Sequence, residues 1–391
     1  MGFDQIVAPL GTDTFLRDYW LKNFVHIPGK AGRFTDLVTW AELNAILEQH
    51  RLLPPRLKLF KDGQAIDPAH YLTPAMFGVP RLDAGGLAVC LAQGASLILD
   101  DAQELAPRVQ ELMQSFQDAL HTDTFTNLYA GWHSQKAFDM HWDPQEAIVL
   151  QLSGKKRWKV YRPTRLHPLK NDVELPQQPV GEPVWEGIMA DGDVLYIPRG
   201  WWHVAFPLNE PSLHLTVSLT PPTGLDYLGW TISKLRHHPE ARASLPPAAG
   251  ETARTEIADG ILGQLAGLLN GQSVSDFLRE WDANIRPSPH IRLPNAPYEQ
   301  LSVVTDDCRI RLASLHRLAF SAQGENFEFI AGGRLWTVPK SLQPALAKLH
   351  NAHAFTVAEL TSALSNPSAK ADLFKSLNVL ASAGVILVEK G

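Results

Sequence analysis

The sequence predicts a mainly β protein with added helices: a small antiparallel barrel or double-sheet roll, then a helical stretch, then a mixed tail. Three observations carry this. Between Thr122 and Thr220, apolar residues recur with period two in short runs broken by turn residues. Before and after that block they recur at helical spacing. With 29 Pro in 391 residues, turns are frequent enough for a region of short strands and loops.

In chain order, Asp13 sits where it can cap a helix carrying Phe15, Leu16, Tyr19 and Trp20 on one face. A short strand is expected over 24–27, closed by Pro28 and Gly29. A second helix over 39–49 places Trp40, Leu43, Ile46 and Leu47 together. Residues 50–80 alternate apolar pairs with Pro-rich turns. A helix over 107–120 has Pro107 in its first turn and Val109, Leu112, Met113 and Phe116 along one side. Strands at 147–152 and 156–161 form a hairpin about Ser153-Gly154-Lys155. Further strands are expected at 194–197, after the turn Asp191-Gly192-Asp193, at 202–206, and at 213–219, ended by Pro221-Pro222. About a hundred residues of this kind suit a small barrel or roll.

Helices follow at 225–235, 257–269 and 274–285, with connections at 246–252 and 287–297. The tail reads as a hairpin of 327–330 and 334–338 around Ala331-Gly332-Gly333, helices at 342–349, 357–364 and 371–383, and a last strand at 385–389. Helices around a hairpin suggest a winged-helix-like module. The expected domains are therefore 1–222, the β block with its N-terminal helices; 223–300, helical; and 301–391, winged-helix-like.

Composition excludes several functions. A net charge of -6 suits neither bare nucleic acid nor an anionic membrane as a partner held by charge. The tail from Leu301 has 9 basic and 7 acidic residues, and a DNA-reading winged helix is expected to be more basic. No direct DNA binding is expected. Apolar runs such as 86–99 are broken by Gln and Gly, so no membrane span is expected. The first sixteen residues have no basic region leading into an apolar one, which predicts no signal peptide. Cys90 and Cys308 alone exclude a disulfide framework and a cysteine-based zinc site, and fit a cytoplasmic location.

The chemistry concentrates at His141-Trp142-Asp143 and His203. Residues two apart in a strand share a face, so His141 and Asp143 can grip one ion. His203 lies 60 residues beyond Asp143, on another expected strand, and a barrel brings such strands together. Two imidazoles and a carboxylate on one octahedral face leave three positions open, the ligand set of non-haem Fe(II) oxygenases. His-x-Asp alone arises often by chance. Here a tight turn, a buried strand and a Pro/Gly bend all lead to His203, and that context favours a site.

The run from His141 to Trp158 resembles the JmjC/cupin-type 2-oxoglutarate oxygenases, and within them the ribosomal oxygenases, which hydroxylate ribosomal proteins. The stretches 192–197 and 212–218 fit the same pattern, as does Phe15-x-x-x-Tyr19-Trp20 near the start. The resemblance implies a JmjC double-stranded β-helix, or cupin jelly roll, then an α-helical dimerisation region and a winged helix. It implies Fe(II) on His141, Asp143 and His203, and the far carboxylate of 2-oxoglutarate on Lys156 with Tyr129. Asn127 and Ser218 match polar pocket positions. It further implies a homodimer acting on a protein or peptide, such as a ribosomal protein. Trp142 and the run Trp201-Trp202-His203-Val204 depart from the usual ribosomal-oxygenase surroundings, and they border the substrate entrance.

Alternation by itself does not orient Lys156, because Lys155 and Arg157 flank it. Tyr129 could equally be a core aromatic. Other readings use the same residues: hydroxylation of another peptide or small molecule, N-methyl demethylation, a cupin-type metal isomerase or hydrolase without co-substrate, or a non-catalytic scaffold for a protein or ribosomal partner.

Overall fold

Alternation along one strand sets the geometry of the first half of the chain. In Glu146–Ser153, Ile148, Leu150 and Leu152 face a large apolar cluster shared with the N-terminal helices, while Ala147 and Val149 face a second, smaller cluster with Trp158, Val160, Leu195 and Ile197. The strand is buried on both sides, so it reads as a continuous apolar run.

A computed structural model describes residues 1–391 except 75–77, 173–176, 246, 247, 249, 286–303, 314–317, 319, 332, 333, 351, 352, 367, 368 and 391. The connection expected over 287–297 and the turn residues Gly332 and Gly333 lie outside the described residues, as do 246, 247 and 249 of the connection expected over 246–252, whose last two residues begin a helix. The chain divides into two units, Met1–Thr220 and Pro221–Gly391.

The strands of the first unit are β1 Val25–Ile27, β2 Leu57–Lys61, β3 Gln64–Ala65, β4 Leu72–Thr73, β5 Arg81–Leu82, β6 Ser96–Asp100, β7 Asp123–Gly131, β8 Glu146–Ser153, β9 Lys156–Tyr161, β10 Trp185–Met189, β11 Val194–Ile197, β12 Trp202–Pro207 and β13 Ser212–Thr220. Its helices are α1 Phe3–Val7, α2 Thr12–Thr14, α3 Trp40–Gln49, α4 Ala84–Ala92 and α5 Pro107–Leu120. An eight-stranded sheet, β1-β11-β8-β13-β7-β6-β2-β3, and a three-stranded sheet, β10-β9-β12, make the roll. Their strands pair antiparallel. One face of the large sheet packs on α1, α3 and α5 through Leu213, Leu215, Val217 and Leu219. Each such residue, fully removed from water, contributes about 1.5–3 kcal/mol. The other face turns toward β9 and β12.

The helix expected at Asp13 is organised differently. Gly11 caps α2, which runs into a single π turn, Phe15–Tyr19, closed by the Trp20 N–H on the Phe15 carbonyl. The wider turn lets both Phe15 and Trp20 lie against Tyr196, at 5.1 and 5.7 Å between ring centres. The Leu21 N–H donates to the Tyr196 hydroxyl at 2.8 Å. The sequence pattern also left α4, β6 and β10 unassigned. α4 is apolar nearly all round, which blurs a helical period, and β10 places a glycine in mid-strand.

The β8–β9 turn aims the site. Gly154 has φ +68, and a Cβ there would lie 2.0 Å from the Pro211 carbonyl oxygen. Gly154→Ala therefore meets both a backbone clash and a left-handed conformation. A loss of at least about 2 kcal/mol is expected, read as a lower melting temperature; an unchanged melting temperature would show that the turn relaxes freely.

The second unit begins with α6 Gly224–Lys234, α7 Pro239–Arg242, α8 Glu251–Leu268 and α9 Gly271–Asn284. After them come β14 Cys308–Leu312, β15 Ser321–Gln323, β16 Asn326–Ala331, β17 Arg334–Pro339, α10 Gln343–Leu346, β18 Phe355–Thr356, α11 Val357–Thr361, α12 Ala369–Ser382 and β19 Ile386–Lys390. β15-β16-β17 form one sheet and β18-β14-β19 another, around Ile310, Leu342, Leu346, Leu373 and Leu377. The helix expected over 342–349 is only α10 with a 3-10 turn before it, and β14 was not anticipated. Among the described residues no helix is long and apolar enough to cross a membrane.

Candidate active site

The roll encloses a cavity of about 260 Å³. Its lining follows from register. On β9, Lys156, Trp158 and Val160 are buried while Arg157 is exposed. Opposite them on β12 stand Pro207, Ala205 and His203. On the large sheet, Tyr129 pairs with His214, and Thr216 lies across from Val149. Lys156, Trp158, His203, Ala205, Tyr129, His214, Thr216 and Val149 all line the cavity. The ambiguity over which basic residue of the hairpin points inward is resolved in favour of Lys156, which is 4% exposed.

At one end are His141, Asp143 and His203, whose ligand atoms lie within 4.8 Å of one another. Asp143 lies 3.9 Å from His141 Nε2 through one carboxylate oxygen and 3.6 Å from His203 Nε2 through the other. His141 and Asp143 are not on a regular strand, contrary to the expectation from their spacing. His141 forms an isolated bridge with His203, N–H to carbonyl in both directions at 3.1 and 2.7 Å. The Asp143 carbonyl accepts from the Gly200 N–H at 3.0 Å. The Pro/Gly bend before His203 thus ties both ligand segments together, and alternation is not what aligns them.

Both imidazoles are fixed for ligation. His141 Nδ1 donates to the Asp139 carbonyl at 2.8 Å, and His203 Nδ1 to the Trp201 carbonyl at 3.1 Å. Each Nε2 is then left as a lone pair facing Asp143, the arrangement that orients metal-bound histidines. Burial, reinforced by neighbouring His141, brings the His203 pKa down to about 4, so it stays neutral. His203 is 7% exposed; His141 and Asp143, each 39%, stand at the mouth. An ion that draws each donor to roughly 2.1 Å needs only small side-chain shifts. Two neutral imidazoles and a carboxylate beside an open cavity fit Fe(II).

At the other end Lys156 Nζ lies 3.4 Å from His214 Nδ1. Burial lowers the Lys156 pKa to about 7. Burial pushes Tyr129 well above its ordinary value, helped by the charge of Asp143, while a hydrogen bond from Asn127 acts in the opposite sense. Asn127 therefore touches the phenol without lining the cavity. Ser218 lies on β13 two residues past Thr216, opposite Ala147, and does not reach the cavity wall. Sequence reasoning missed His214, Thr216 and Trp158. The signal was available for two of them, because residues 212, 214, 216 and 218 on β13 are all polar and share one parity, opposite to Leu213, Leu215, Val217 and Leu219.

Residues 99–227 match the JmjC domain family. The bifunctional lysine-specific demethylase and histidyl-hydroxylase NO66 of Drosophila pseudoobscura pseudoobscura is 30% identical over 231 residues, 55% of this chain and 22% of that protein. Human ribosomal oxygenase 1 is 30% identical over 224 residues, 55% of this chain and 34% of that protein. The chain thus aligns with only about a fifth to a third of the length of these relatives. Among solved structures, Escherichia coli YcfD, described as a ribosomal oxygenase in complex with cobalt and 2-oxoglutarate, superposes with a TM-score of 0.62 at 18% identity, over 96% of this chain and 98% of that one. At that identity the likeness is one of fold.

Proposed function

The chain carries a JmjC domain over residues 99–227, and from that premise we propose that it is an Fe(II)- and 2-oxoglutarate-dependent dioxygenase that hydroxylates a side chain of a protein. The observation that carries this reading is one cavity with a two-histidine, one-carboxylate cluster at its mouth and a buried lysine at its far end. The lysine disfavours a metal isomerase or hydrolase, which has no need of an inward cation. The intact cluster disfavours a scaffold.

Fe(II) with 2-oxoglutarate would supply the oxidation: dioxygen and the keto acid become succinate and carbon dioxide, and one oxygen atom enters a substrate C–H bond. The protein's part is placement. His141, Asp143 and His203 would hold the metal. Lys156 and the Tyr129 hydroxyl would take the far carboxylate through charge-assisted hydrogen bonds. Phe138 and Trp158 supply apolar walls that keep water from the reacting carbon. Trp142, Trp201 and Trp202 belong to the ligand segments; Trp202 is anchored by its indole N–H on Thr164 at 2.9 Å.

The relatives' names point to ribosomal proteins as substrates, and the lysine-demethylase part of NO66 keeps N-methyl removal as a second outcome of the same chemistry. Purified protein with Fe(II) should convert 2-oxoglutarate to succinate. Mass spectrometry of ribosomal proteins from a deletion strain should show the loss of one oxygen atom from a single site. Failure to bind or turn over 2-oxoglutarate would return the scaffold reading to first place.

We read 223–300 as a dimerisation region, 301–391 as a winged-helix-like module for protein contact, and the location as cytoplasmic. α8 buries none of its described residues, and Leu225, Leu228, Ile232 and Leu262 stay exposed on α6 and α8. Exposed apolar stripes of this kind suit a second copy. Light scattering should give twice 43.3 kDa, and Leu262→Asp should shift the protein toward monomer; a native monomer would refute the dimer.

A further inference from the structure

His214 holds a place that ligand positions alone do not explain. Its ring stacks on Tyr129, with centres 4.7 Å apart and planes within 2°. Trp158 meets it edge-on at 5.7 Å. Its Nδ1 faces Lys156 Nζ at 3.4 Å. The pairing of β13 with β8 shifts register between Leu213 and His214, with Leu152 the extra residue on β8, while the unbroken ladder of β13 with β7 sets His214 directly opposite Tyr129. The residue is 3% exposed.

We propose that His214 is the positioning residue of the 2-oxoglutarate site: clamped between Tyr129 and Trp158, it accepts a hydrogen bond from the Lys156 ammonium and so aims that ammonium at the far carboxylate. The proposal rests on the reading of this cavity as a 2-oxoglutarate site. A histidine serves here because it offers an acceptor without adding charge. Burial, with Lys156 beside it, drives the His214 pKa well below the ordinary value, so the ring stays neutral and its lone pair stays available. A carboxylate in its place would neutralise the lysine and compete with the ligand.

The same geometry couples binding to protons. Burial leaves the Lys156 pKa near 7 in the empty cavity, and a bound dicarboxylate favours the charged form. Below that pH the ammonium is already present. Above it, binding must first take up a proton, so affinity falls as pH rises, toward about tenfold per pH unit. The groups facing Lys156 are His214 from β13, Tyr129 from β7, and His203, His141 and Asp143 across the cavity. The positions opposite it on β10 and β12 are Met189 and Pro207, which do not titrate. Asp100, behind Tyr129, is paired with Lys58.

The test is calorimetric titration of 2-oxoglutarate into the full-length protein loaded with Mn(II), from about pH 6.5 to about pH 8.5, a window in which 2-oxoglutarate keeps both charges. His214→Phe keeps the stacked ring and removes the acceptor. It should weaken binding about tenfold or more and move the break in the pH profile to lower pH. His214→Asn returns an acceptor near Nδ1 and should recover most of the affinity. In a Lys156→Met background, His214→Phe should add no further loss. If the larger ring is not tolerated, His214→Leu serves as the same arm. Equal affinity and an unchanged profile in the Phe variant, or an Asn variant no better than Phe, would overturn the proposal. A wild-type protein that binds Mn(II) but no 2-oxoglutarate at any pH would instead sink the reading of the cavity.

Discussion

Asp143→Ala is expected to remove metal binding and reduce succinate formation by about 100-fold or more, since even residues behind metal ligands cost 10–100-fold when changed. The cause is electrostatic. Asp143 is the one anion of the cluster and faces both imidazole Nε2 atoms, at 3.9 and 3.6 Å. Without it, two neutral donors 4.4 Å apart by ring centre would have to hold a dication alone. Asp143 is also more than a third exposed, so its removal opens no core void and the fold should persist. His203→Ala is a less clean experiment, because that side chain is buried and its loss leaves a gap beside Trp158. Calorimetry with Mn(II) and a melting curve separate the two effects: lost metal with an intact transition is the expected outcome. Retained metal affinity in Asp143→Ala would mean that the ion sits elsewhere.

Lys156→Met should weaken 2-oxoglutarate binding by about 100-fold or more, the usual cost of removing one partner of a buried charged pair. Stability should move the other way. Burial lowers the folded-state pKa of Lys156 to about 7, so between that value and the unfolded value, about 10.4, the unfolded chain binds more protons and native stability rises with pH. At neutral pH the buried amine is thus a burden on the fold, and methionine of similar length removes it. The variant should melt no lower than the native protein near pH 7, with the difference narrowing as pH rises. A variant that bound 2-oxoglutarate normally would exclude Lys156 from the site. One that melted far lower would make the lysine a structural residue.

These two residues show what the sequence could and could not reveal. The three metal-ligand candidates were legible because their types are rare together and turn chemistry surrounds them. Their alignment was not, since His141 and Asp143 meet through an irregular segment tied to Gly200 and not through strand alternation. Lys156 required the register of β9, which is fixed by the Gly154 turn and by pairing with β12. Helix α5 and strands β9 and β11 stand where their patterns put them, each having clear period or clear turns. α4 did not show, because its sequence is apolar on every side. His214 was partly legible: it lies on the polar parity of β13 with Ser212, Thr216 and Ser218, but alternation alone does not say which of these buried polar residues meets Lys156.

The most direct measurement is a crystal structure of the full chain with Mn(II) and 2-oxoglutarate, using anomalous scattering to locate the metal. One strong peak shared by His141 Nε2, His203 Nε2 and the Asp143 carboxylate is expected, with the far carboxylate of the keto acid on Lys156 Nζ. A peak away from those three side chains, or a keto acid whose far carboxylate does not reach Lys156, would contradict this arrangement.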